Sequence, residues 1–228
     1  MKSRLFTSFA PLIIMLLAIA GLSLPATSFS ETPPAPTAPP AIAAPDAPPT
    51  PPYVEIKGRD SSHEAGKVKI TVFLDFFCSH CHHFDTTIVP VLLKEHGDAL
   101  EVTYVGYPIV DPQASHIPIL AYYLAEDQGR GEEMKDILFS AIWDLRMDVT
   151  RPDVLLGIAQ KAGLDLERFK AGFNNNTAGK RVEEGIQAAQ AIGVRGTPTL
   201  LIDNHLKVTD NSIRTLEAII AEVLGENG

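Results

Sequence analysis

The chain has 228 residues, 45% of them apolar, and a formal net charge of −9. Setting aside residues 1–30, which carry Lys2 and Arg4, leaves 17 basic against 28 acidic side chains, or −11. A carboxylate excess of this kind argues against nucleic acid or anionic lipid as a partner.

Residues 1–30 read as a secretory signal peptide. Lys2 and Arg4 form a positive start, APLIIMLLAIAGLSL an apolar run, and ATSFS a stretch of small residues. The alternative is an uncleaved N-terminal membrane anchor, for which the run is short and is broken by Pro11, Gly21 and Pro25. Both readings imply a periplasmic or otherwise extracytoplasmic protein, anchored to the inner membrane in the second case. Residues 31–52 hold ten of the 18 prolines. That density fixes φ and removes backbone donors, which predicts an extended linker without a core. Residues 53–228 then have the size of one globular domain.

Within that domain YVEIK (53–57) alternates as a strand does, and GRDSSHEAGK is loop-like. VKITVFLDFF (68–77) is a dense β-branched and aromatic run that reads as a buried central strand ending just before Cys78. The pattern turns helical from Ser79 to His96, with Pro90 expected to kink the helix. LEVTYVGYPI (100–109) is a further strand. A helical block over about 112–195 contains five amphipathic segments separated by Gly, Pro or Asp signals. TPTLLID (197–203) and HLKVT (205–209) return to strand through a tight Asp203-Asn204 turn, and a last helix follows. The order is a β-α-β unit and a β-β-α unit with helices inserted between them.

The only two cysteines stand in FFCSHCHHF, residues 76–84. Cys78-Ser79-His80-Cys81-His82 fits a redox dithiol, a c-type haem attachment site, or part of a metal site with His82 and His83. A disulfide between cysteines this close in sequence adds little stability, so the spacing points to reactivity. Cys78 falls at a strand-to-helix junction, where free N–H groups and the helix dipole favour a thiolate. Cys81, one turn on, lies within disulfide reach and can resolve a mixed disulfide. The physics favours the redox dithiol. Against a metal, the clustered donors need distant partners to close a tetrahedral shell. His82 and His83 read as solvent-facing, His63, His96, His116 and His205 as surface residues, and Trp143 as helix packing.

FLDFFCSHCHHF, together with GVRGTPTLLID more than a hundred residues later, resembles the disulfide-bond-forming protein A (DsbA-like) family of the thioredoxin superfamily. YPIVDPQASHIPILAYYLAEDQGRGEEMKDILFSA resembles the first part of that family's helical insertion, so the likeness spans about residues 65–225. The resemblance implies an α/β thioredoxin fold with an inserted helical domain, with Cys78 as exposed nucleophile and Cys81 as buried resolving cysteine. It implies a cis-proline at Pro198, with Thr197 offering backbone groups to an extended substrate peptide. Ser79 and His80 hold the two places that tune redox poise, and His80 is expected to favour the Cys78 thiolate. Two departures stand out: Ser79 replaces a frequent proline, and Val72 replaces a frequent buried acid. Asp75, the nearest strand carboxylate, is expected on the opposite strand face from that acid.

The expected function is an exported thiol–disulfide oxidoreductase, a dithiol oxidase donating the Cys78–Cys81 disulfide to substrate proteins. Its partners would be reduced or misfolded exported proteins and a DsbB-like membrane oxidase, with no metal and no cofactor beyond the redox-active disulfide. Three alternatives stay open: a reductase or isomerase of the same fold fed by a DsbD-like donor, a haem- or metal-binding carrier, and a catalytically silent chaperone.

Overall fold

A computed structural model describes residues 51–225. The expected signal or anchor (1–30) and nearly all of the linker lie outside the described residues. No helix among the described residues is long and apolar enough to cross a membrane.

Five strands form one mixed sheet: β1 (Tyr53–Glu55), β2 (Val68–Leu74), β3 (Leu100–Gly106), β4 (Thr199–Ile202) and β5 (Leu206–Val208), in the order β1-β5-β4-β2-β3. β2 is central, parallel to β3 and antiparallel to β4. Its position explains its composition, because both faces are covered. Val68, Ile70, Val72 and Leu74 enter the main core, while Phe73 packs on the other face with Ala189, Ile192, Val194 and Leu201. Positive φ at Asp203 and Asn204 closes the β4–β5 hairpin as the sequence predicts.

Helix α1 (Ser79–His83) starts directly beyond the end of β2, and α2 (Val89–His96) continues from it. The expected single kinked helix is instead broken by a π turn at Phe84–Ile88, ahead of Pro90. Pro90 has no N–H to offer the Thr86 carbonyl, so the α ladder loses a rung there and the backbone widens before it. The strands also stop earlier than the apolar runs do. β2 ends at Leu74 and β3 at Gly106, where Tyr107 N–H still donates to Leu74 O at 2.7 Å.

Between β3 and β4 lie α3 (Pro112–Glu126), α4 (Gly131–Trp143), α5 (Pro152–Lys161), α6 (Leu166–Asn174) and α7 (Gly179–Ala191). Asp111 caps α3 and Asp165 caps α6, each accepting two backbone N–H groups. α7 closes on β3 through Gly185, where a Cβ would lie 2.6 Å from Gly106 O. α8 (Ile213–Leu224) buries Leu216, Ile219 and Ile220 against the sheet. This is a thioredoxin-type α/β fold with an inserted helical block.

Candidate active site

Asp75, Phe76 and Phe77 connect β2 to Cys78, which is the N-cap of α1 with extended backbone (φ −89°, ψ 114°). Its carbonyl accepts the N–H groups of Cys81 at 3.1 Å and His82 at 3.2 Å, so the helix begins at this cysteine. Phe76 is fully buried and stacks obliquely on Phe139 with ring centroids 4.9 Å apart. Its carbonyl takes the Trp143 indole N–H at 3.0 Å. The redox turn is thus clamped from the helical block as well as from the sheet.

Both cysteines are free, and Cys78, expected to be exposed, is itself nearly buried at 9% exposure beside Cys81 at 2%, because the Thr197–Pro198 turn packs over it. Their acidities diverge. The Cys81 thiol, hydrogen-bonded to Cys78, is the largest influence lowering the Cys78 pKa, to about 5. The Thr197 hydroxyl and the backbone N–H groups of Cys81 and His80 act in the same direction, against partial burial. Burial pushes the Cys81 thiol up, and the neighbouring Cys78 raises it further. The arrangement presents one stabilised anion next to one stored proton.

The chain returns to this point from far along the sequence. The Thr197–Pro198 bond is cis, and Thr197 O lies 3.0 Å from Cys78 Sγ across 119 residues, where it accepts from the thiol in its protonated form. Thr197 Oγ1 is buried without an aligned partner, close to the two sulfurs whose anionic forms it favours. Pro198 O is fixed by Asn211 Nδ2 at 2.9 Å. A groove of about 610 Å³ opens here, lined by His80, His83, Phe84, Ile88, Thr197, Pro198, Asn211, Ser212 and Ile213. Its lining combines the apolar Phe84, Ile88, Pro198 and Ile213 with polar His80, Asn211 and Ser212, which suits a polypeptide with apolar side chains.

The predicted site residues come together unevenly. Cys78, Cys81, Thr197 and Pro198 meet around the sulfurs, while Ser79 lies in the exposed first turn. His80 reaches Cys78 through its backbone N–H, and its ring lines the groove. His82 is not solvent-facing: it is half-buried and stacked on Trp143 at 5.9 Å and 12°. His96, His116 and His205 are likewise partly buried rather than fully exposed. Among the described residues no three of His, Cys, Asp or Glu converge on a metal-sized site.

Two buried acids stand where neither the strand nor the helix pattern fixes their surroundings. Asp75 lies beyond the end of β2, so strand alternation does not govern it, and it is fully buried. Asp85, in the π turn, accepts from Tyr104 Oη at 2.7 Å and from Lys135 Nζ at 2.6 Å, with both charged side chains 5% exposed. The second had a signal in the sequence. Lys135 shares a helical face with Leu138, Phe139 and Ile142, where a lysine needs a partner.

The family model for the DSBA-like thioredoxin domain matches residues 69–221. The thiol:disulfide interchange protein DsbA of Pseudomonas aeruginosa is 24% identical over 155 residues, covering 68% of this chain and 72% of its own length. Among solved structures, the oxidoreductase DsbA of Xylella fastidiosa superposes with a TM-score of 0.63 at 24% identity, covering 75% of this chain and 94% of that one. Oxidised BdbD of Bacillus subtilis gives 0.62 at 20% identity, covering 76% and 92%. Since the matched span is well over half of the chain and contains both cysteines and the Thr197–Pro198 turn, the protein belongs to the DSBA-like thioredoxin domain family.

Proposed function

We propose that this thiol:disulfide oxidoreductase works as an exported dithiol oxidase, passing a Cys78–Cys81 disulfide to reduced client proteins. The observation that carries the direction is the stabilised Cys78 thiolate, with its pKa lowered to about 5. A thiolate favoured in the reduced protein makes that state more stable and its disulfide a stronger oxidant.

The exchange balances through sulfur alone. A client thiolate attacks Cys78 Sγ, the Cys78–Cys81 bond breaks, and Cys81 leaves with the electron pair and takes up a proton. A second client thiolate then attacks the client sulfur of the mixed disulfide. Cys78 leaves as the thiolate that its surroundings stabilise, and the client holds the new disulfide. Two electrons remain on the protein, so a membrane oxidase must remove them to restore the disulfide. Thr197 and Pro198 would align the extended client beside Cys78, with Ser79 and His80 setting the poise. The N-terminal sequence supports a periplasmic or otherwise extracytoplasmic site of action.

The test is equilibration of the purified protein with glutathione buffers, followed by thiol trapping and counting by mass. A midpoint near about −120 mV, the oxidising end of the dithiol range, is expected. A midpoint near about −270 mV would make the protein a reductase and replace the oxidase partner with an electron donor.

A further inference from the structure

Asp75 is fully buried between β2 and Cys78 and is a residue the exchange chemistry does not use. Its Oδ1 accepts from Phe77 N–H at 2.9 Å. Its Oδ2 accepts from Ile109 N–H and Val110 N–H, each at 2.9 Å. Its carbonyl accepts the Cys78 N–H at 3.0 Å, and its own N–H faces the Cys81 sulfur. One residue thus ties the turn that carries Cys78 to a segment 34 and 35 positions away, just beyond β3.

The chemistry of the side chain is specific. Three donors converge on two oxygens, which an ionised carboxylate satisfies as a pure acceptor. Asparagine would turn an NH2 group toward N–H donors. Serine would offer one oxygen, enough for the Phe77 turn and too short for Ile109 and Val110. The same fastening fixes Val110, whose side chain is 54% exposed.

We propose that Asp75 is a positioning residue for thiol–disulfide exchange: its carboxylate clamps the Ile109–Val110 segment to the redox turn and holds Cys78 at the start of α1 in register with Cys81 and Thr197. The inference rests on Cys78 being the attacking sulfur. With the clamp loosened, the Cys78 sulfur drifts from the Cys81 thiol and from the N–H groups of the first turn, and its thiolate loses their support.

The test compares Asp75→Asn, Asp75→Ser and Asp203→Asn in the full chain. Asp203 is a second buried carboxylate, at the far end of β2, where it accepts Lys69 N–H at 2.9 Å and faces His63 at 3.0 Å. It therefore reports what loss of a buried carboxylate does to the fold alone. Cys78 is titrated by thiolate absorbance and by its alkylation rate across pH. Both Asp75 variants are expected to raise the apparent Cys78 pKa by about one unit and slow alkylation in acidic buffer about tenfold, while Asp203→Asn changes neither. A folded Asp75 variant that titrates like the parent overturns the proposal. So does loss of the fold in both Asp75 variants while Asp203→Asn still folds, since Asp75 would then serve the fold rather than the site. A parent protein whose Cys78 titrates in the ordinary thiol range overturns the reading of Cys78 itself, before any substitution is made.

Discussion

Cys78 and Cys81 belong to one helical turn, yet their environments pull their acidities apart. Cys78 collects a thiol, a hydroxyl and two N–H groups, whereas Cys81 is sealed at 2% exposure beside another sulfur. Because the Cys78 pKa is depressed on folding, its stabilising effect on the reduced protein is complete above the ordinary thiol range. That effect is lost as pH falls through about 5. The midpoint potential inherits the same break. Above pH about 5 each two-electron reduction takes up one proton, and the potential should fall by about 30 mV per pH unit. Below it two protons enter and the slope should double to about 59 mV. Potentials measured from about pH 4 to about pH 10 check this, and a break near the ordinary thiol value of about 8.5 would refute the assignment. Much of this site was legible in the sequence, since the cysteine spacing and the strand before it are local signals. The contribution of Thr197 is not local, and only the family resemblance pointed to it. Strand alternation could not place Asp75, because β2 ends at Leu74 and Asp75 lies one residue beyond it.

At the scale of elements, the helical periodicities located all five inserted helices, because each buries a continuous apolar stripe. They could not locate the π turn, whose cause is a missing Pro90 donor combined with an acid that must face inward. Asp85 in that turn is held by Tyr104 of β3 and Lys135 of α4, so sheet, active-site helix and helical block share one buried charge cluster. Burial alone would lower the Lys135 pKa, but Asp85, Glu132 and Asp136 outweigh it and the ammonium is favoured. Lys135 also lies 4.7 Å from the centre of the Tyr104 ring. Removing one partner leaves the other buried and unpaired. Lys135→Met should therefore cost about 3–5 kcal/mol of stability in urea unfolding. The double variant Asp85→Asn with Lys135→Met should recover a substantial part, because the stranded carboxylate is gone. Equal losses in the single and double variants would show that packing, not charge, holds the three elements together.

For the whole molecule, the thioredoxin topology matters because it brings Pro198 beside Cys78 from the other half of the chain. The helical block is inserted without disturbing that meeting, since it leaves β3 and returns to β4 on either side of β2. The groove beside the sulfurs is built from both halves: Phe84 and Ile88 from the first, Pro198 and Ile213 from the second. No sequence window contains it, which is why it was not legible in advance. Its apolar lining residues should matter to a polypeptide client and not to a small disulfide, which needs only the sulfur. Ile88 and Ile213 are half-buried and pack against the main core as well as lining the groove, so each asparagine variant is compared with the parent in urea unfolding before its kinetics are read. The lost contact with a bound apolar side chain is worth about 1.5 kcal/mol, or about tenfold in kcat/KM. Ile88→Asn and Ile213→Asn should therefore each slow oxidation of a peptide with apolar residues beside its cysteine about tenfold. Exchange with glutathione should stay at the parental rate. Parallel losses with peptide and glutathione would place the defect at the sulfurs, and unchanged peptide kinetics would move the client off this groove altogether.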